Sequence, residues 1–116
     1  MLKTIQERIA SITLPLRIIT AQEAASECAG NDGVLIDVRE PGECQNQPSE
    51  SAINFPRGVL EMKMAEKFPD AAKPVYLHCA SGVRAKLAAE QLALMGYENV
   101  SVITCPVIDI CKHFPE

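Results

Sequence analysis

The order of patterns along this chain predicts an α/β domain: a mainly parallel sheet of about five strands with helices on both faces. Three observations carry this. Short apolar runs of strand length alternate with segments of helical periodicity. The runs at 34–38 and 75–78 are almost continuously apolar, as in strands covered on both sides. The second of these runs straight into a glycine-containing loop that opens a helix, and parallel sheets place ligand sites beyond the carboxyl ends of their strands.

The elements follow in order. Ile5, Ile9 and Ile12 at helical spacing predict a short amphipathic helix ending before Pro15, and Leu16 to Ile19 predicts a brief strand. Thr20 with Glu23 forms a capping-box pattern for a helix from Ala21 to about Ala29, stopped by Gly30, with a turn at Asn31-Asp32-Gly33. Val34 to Val38 is a buried strand. The polar stretch Arg39 to Ser51 holds Pro41, Gly42 and Pro48 and is expected to be a loop. Ala52 to Phe55 predicts a short strand, Leu60 to Lys67 a helix, Val75 to His78 a strand, and about Gly82 to Met95 a helix closed by Gly96. Val100 to Ile103 is another strand, and the tail from Thr104 holds Pro106 and a last helical turn through Cys111.

The 116 residues suit one domain, residues 1–116, with 1–15 as an N-terminal helical extension and 104–116 as a C-terminal tail. No apolar run approaches a membrane span, and the first residues lack the unbroken apolar core of a signal peptide. With Met1 retained, a cytoplasmic protein is expected. A net charge of −4 gives no reason to expect nucleic acid or an anionic membrane as partner. Cys28, Cys44, Cys79, Cys105 and Cys111 are odd in number and include no CxxC pair, and His78 and His113 lie far apart. Neither a zinc site nor a disulfide scaffold is expected, and no cofactor.

The chemistry concentrates in Cys79-Ala80-Ser81-Gly82-Val83-Arg84. A thiol between a strand end and a helix start sits among backbone N–H groups at the positive end of a helix dipole. That setting holds a thiolate, a persulfide or a bound oxyanion, and favours a nucleophilic cysteine. Gly82 lets the loop curl its amides inward, Ser81 offers a hydroxyl or a helix cap, and Arg84 is the one cation of the loop, with donors for an anion.

Cys79, Gly82 and Arg84 match the Cys-x-x-Gly-x-Arg pattern of the rhodanese family, which this segment resembles. Asp37-Val38-Arg39-Glu40-Pro41 with Glu43 is similar to the family's DVREPxE segment, and Ala52-Ile53-Asn54-Phe55-Pro56 to its A-x-N-I-P stretch. The resemblance runs in family order over roughly residues 16–103. It implies a rhodanese-like three-layer fold and a sulfurtransferase. Cys79 would take the outer sulfur of thiosulfate or a persulfide and pass it to cyanide or a thiol, which could belong to a protein. Residues Ala80 to Arg84 would bind the donor. Relatives acting on phosphate or arsenate have a Cys loop one residue longer, so the shorter gap here favours sulfur transfer. A Cys-dependent phosphatase or arsenate reductase is the weaker alternative, and a sulfur-carrier or regulatory module with negligible turnover is another. The sequence departs from the family at Asn46 to Ser51, where Gly-His-Ile-Pro-Gly is usual. It departs again at Thr104-Cys105-Pro106 in a chain without tryptophan, so donor and acceptor preferences are not carried over.

Asp37 and Arg39 read as an ion pair bracing the loops at the sheet edge, and Glu43 as a solvated residue. Strand alternation turns His78 away from the thiol of Cys79. Cys105 follows the last strand as Cys79 follows its own. In the rhodanese arrangement those strands are neighbours, so Cys105 is the candidate second thiol for a Cys79–Cys105 disulfide. The competing reading, a half-buried thiol out of reach, weighs equally, because the bond requires Cα atoms within ~7 Å. Cys44 is a weaker candidate. Cys28, Cys111 and the Ile5/Ile9/Ile12 stripe read as packing, and His113 as inert.

Overall fold

The structure, a computed structural model, describes residues 1–114. Its elements are α1 (Ile5–Ala10), β1 (Arg17–Ile19), α2 (Ala21–Asn31), β2 (Val34–Asp37), α3 (Pro41–Asn46), β3 (Ile53–Asn54), a 3-10 turn at Arg57–Val59, α4 (Leu60–Lys67), β4 (Val75–His78), α5 (Val83–Met95), β5 (Val100–Ile103) and α6 (Val107–His113). The strands form one parallel sheet in the order β1-β5-β4-β2-β3, which puts β4, the strand leading to Cys79, at its centre.

Strand alternation sorts the side chains into two layers. Val75, Leu77 and Cys79 of the β4 segment pack with Ile36, Val38 and Val102 under Leu60 and Met64 of α4 and Ala85, Ala88, Ala89 and Leu92 of α5. Tyr76 points the other way and joins Leu35, Ile103, Ala21 and Ala24 of α2 and Ile110 of α6. Both faces are thus covered, which explains the nearly continuous apolar runs of β2 and β4. Three alanines on the inner side of α5 let that helix lie close to the sheet, fixing the loop between β4 and α5 at its helical end.

Three local expectations needed correction. The stretch Arg39 to Ser51 is not all loop: Pro41 takes the first helical position, where its missing N–H is harmless, and starts α3. The Glu43 carboxylate accepts the Glu40 N–H at 3.1 Å and holds that start in place. Helix α2 runs past Gly30 to Asn31, because Asp32 adopts the left-handed turn (φ 58°) and the Asn31 side chain accepts the Gly33 N–H at 2.9 Å. The tail carries a two-turn helix to His113, anchored by buried Val107 and Ile110.

Candidate active site

Cys79 lies at the carboxyl end of the central strand, and its residue is only 1% exposed. The Val38 N–H donates to the His78 carbonyl at 2.9 Å, so the backbone entering Cys79 is tied to the segment beyond β2. The loop then turns through Gly82 at φ +95°, and the Gly82 N–H donates to Cys79 Sγ at 3.0 Å. A Cβ on Gly82 would meet Thr104 Cγ2 at 2.8 Å, so the chain leaving β5 packs directly against the curl of the loop. Gly82, not Ser81, is the N-cap of α5, and the first helical turn has no side-chain cap. The sulfur therefore sits beside a helix N-terminus whose amides no side-chain cap occupies. Ala80 and Ser81 are exposed on the outer side of the loop, and Val83 is at the surface.

Arg84 is engaged from outside the loop. Its Nη1 and Nη2 donate to Glu43 Oε1 and Oε2 at 2.6 and 2.9 Å. The same pair holds the Glu43 carboxyl down to about 2, chiefly through the Arg84 hydrogen bonds and then the Glu40 N–H, and raises Arg84 in turn. Glu43 is thus a partner of the loop cation and not a free solvated residue.

Asp37 and Arg39 form a fully buried pair. Arg39 Nε donates to Asp37 Oδ1 at 3.0 Å and Nη2 to Oδ2 at 2.7 Å, while Nη2 also donates to the Gln47 carbonyl at 2.8 Å. Burial alone would raise the Asp37 carboxyl, but hydrogen bonds from Arg39 and the nearby His78 outweigh it and leave it lowered. Asn54 Nδ2 donates to the Asp37 and Arg39 carbonyls, both at 2.9 Å, so the brace is closed from β3 as well. Cys44 donates its S–H to Asp37 Oδ2 at 3.3 Å. Burial and the Asp37 charge push that thiol up to about 11, which makes it a donor and a poor nucleophile.

His78 is fully buried, with Nε2 3.0 Å from Ser49 Oγ and 3.7 Å from Asp37 Oδ2. Burial lowers it below the ordinary histidine value despite the pull of Asp37. Ser49 thereby fastens the 46–51 segment to the sheet, a contact that no sequence signal marked. Cys105 Sγ accepts the Ala21 N–H at 3.3 Å and packs with the α2/α6 layer, whereas Cys79 packs in the α4/α5 layer. The two thiols follow adjacent strands yet enter opposite layers. Among the described residues no three His, Cys, Asp or Glu side chains converge as metal ligands.

Residues 20–105 match the sequence model of the Rhodanese-like domain. The chain belongs to the rhodanese-like family. Its rhodanese-like relatives include a putative mitochondrial thiosulfate sulfurtransferase of Schizosaccharomyces pombe, 38% identical over 82 residues, covering 61% of this chain and 58% of the relative. A tRNA sulfurtransferase of Shewanella amazonensis is 36% identical over 86 residues, covering 72% of this chain and 18% of that one. The chain therefore spans less than two thirds of either relative's length. Among solved structures, the single-domain sulfurtransferase RDL2 of Saccharomyces cerevisiae superposes with a TM-score of 0.64 at 28% identity, covering 86% of this chain and 92% of that one. A Rhodopseudomonas palustris protein described as of unknown function and a possible tyrosine phosphatase gives a TM-score of 0.80 at 21% identity over 97% and 92%, a likeness of fold alone.

Proposed function

We propose that this rhodanese-like chain is a sulfurtransferase that carries sulfane sulfur as a persulfide on Cys79. The observation that carries the reading is the Gly82 N–H directed at Cys79 Sγ at 3.0 Å, beside the uncapped start of α5. Backbone amides stabilise an anionic sulfur without supplying a proton, which suits a residue that is anionic as thiolate and again as persulfide. In the first half-reaction the Cys79 thiolate attacks the outer sulfur of thiosulfate. A new S–S bond forms, the donor's S–S bond breaks, and sulfite leaves with the bonding pair. In the second, cyanide or a thiolate attacks the terminal sulfur of the persulfide, and Cys79 departs as thiolate. The names of the sulfurtransferase relatives support the reaction class.

The acceptor is a small thiophile or the thiol of a protein, and the setting a reducing cytoplasm. Five free cysteines agree with that compartment. Among the described residues no helix is long and apolar enough to cross a membrane. A second reading, a carrier that yields its sulfur to one protein partner with little turnover on small molecules, is favoured by the near-complete burial of Cys79. The test is incubation with excess thiosulfate and, in parallel, with glutathione persulfide, followed by intact mass measurement. The expected result is a gain of one sulfur atom that cyanide removes and that Cys79→Ser abolishes. No gain from either donor, or an equal gain in the Ser variant, defeats the proposal.

A further inference from the structure

Sulfur transfer at Cys79 leaves one pair of charged groups without a role. Arg84 is the one cation within residues 79–84, and both of its terminal nitrogens are directed at Glu43, at 2.6 and 2.9 Å. The arrangement is held from behind, since Glu43 Oε1 also receives the Glu40 N–H at the start of α3. Two parallel hydrogen bonds fix the guanidinium plane as well as its charge. A second charge pair nearby is closed too, because Asp37 and Arg39 compensate each other in the interior. The anion-holding capacity left at the loop is that of neutral backbone amides.

From this geometry we infer that Glu43 is a specificity-determining residue. It occupies Arg84, so the site favours singly charged sulfane-sulfur donors over the thiosulfate dianion. The inference rests on the sulfur-transfer reading. A doubly charged donor finds both terminal nitrogens of Arg84 taken by Glu43 at 2.6 and 2.9 Å, and its sulfonate end meets that carboxylate in place of a free cation. A singly charged donor places its one charge on the attacked sulfur, beside Cys79 Sγ, where the Gly82 N–H points. Glu43 itself touches no reacting atom and acts through the position and charge of Arg84.

Thiosulfate and benzenethiosulfonate form a matched pair for the test. Each gives up its outer sulfur to the Cys79 thiolate, releasing sulfite in one case and benzenesulfinate in the other, and they differ by one charge. Glu43→Gln keeps an oxygen for the Glu40 N–H while removing the carboxylate charge. It should raise the ratio of kcat/KM for thiosulfate over benzenethiosulfonate by about tenfold, mainly through KM for thiosulfate. The double variant Glu43→Gln/Arg84→Gln should return the ratio to the wild-type level. An unchanged ratio in the single variant, or a rise that survives in the double, overturns the inference. Should Glu43→Gln not fold, Arg84→Gln serves alone. It leaves the Glu43 charge exposed to the donor and should lower the ratio, and an unchanged ratio is the contrary result. If no variant and not the wild type takes sulfur from either donor, the parent reading fails and this one with it.

Discussion

Gly82 and Thr104 are in such close packing that a single methyl group on Gly82 would lie 2.8 Å from Thr104 Cγ2. The loop that holds Cys79 is therefore shaped from two sides, by the left-handed backbone of Gly82 and by the chain emerging from β5. Gly82→Ala should lower stability by about 1–2 kcal/mol from the backbone conformation alone, with the contact added to that. Persulfide loading should fall further than stability does, because the Gly82 N–H aimed at the sulfur moves first. Paired thermal melts and intact masses check this, and full loading in a folded Ala variant contradicts it.

The Asp37–Arg39 pair is buried on both sides, at 2% and 3% side-chain exposure. Arg39→Met should destabilise the protein by about 3–5 kcal/mol, since it strands a carboxylate in the interior, whereas the double variant Asp37→Leu/Arg39→Met should recover much of that loss. Urea denaturation of the three proteins separates the outcomes. Equal midpoints for the single variant and the wild type are incompatible with a buried, mutually dependent pair.

His78 contributes a pH dependence of defined sign. Its folded value is depressed below 6.5 by burial, against the attraction of Asp37, with Arg39 also facing it and Ser49 bonded to Nε2. A depressed value means that the unfolded chain binds the proton more readily. The stabilising contribution is complete above pH 6.5 and is lost as the pH falls from there toward the folded value. Glu43 acts later and in the same direction. Its contribution, weakened by solvent at 39% side-chain exposure, is present above 4.5 and is lost toward about 2. Melting temperatures should thus begin to fall just below pH 6.5 in the wild type and stay flatter over that interval in His78→Gln. Parallel curves would remove His78 from the explanation.

Cys105 and Cys79 enter opposite layers of the sheet, so a disulfide between them should not form when the Cys79 persulfide is left without an acceptor. Non-reducing peptide mapping after loading is expected to return the two cysteines on separate peptides. A Cys79–Cys105 peptide would require the β4–α5 loop to leave its place against Thr104.

The alternation of strand and helix patterns made the sheet and most helices legible, because burial on both faces writes itself as apolar runs such as Val34 to Ile36. The turn into Cys79 was legible for a local reason: a strand, a cysteine and a glycine adjoin in sequence. Long-range pairings were not. Glu43 and Arg84 lie far apart along the chain, and nothing in a solvated-looking glutamate reveals which cation it meets. Pro41 before Glu43 did carry the signal for α3, since proline at a helix start is favourable, and with α3 recognised Glu43 would have been set on a defined surface. Ser49 and His78 met only through topology. The layer occupied by Cys105 depended on counting alternation from β5 through Thr104, a stretch where the strand has already ended.

Strand β1 pairs with β5 alone among the described residues, and the Cys79 loop is backed by Thr104. The reactive cysteine is thus enclosed only once the strand that follows it in the chain has docked on β4. A chain cut after Glu98, without β5 and Thr104, should leave Cys79 open to alkylation at the rate of an unfolded thiol, whereas residues 1–116 should not. Reactivity confined by a later strand couples the chemistry of the sulfur to the docking of β5, so that a chain lacking that strand offers a thiol but not a selective one.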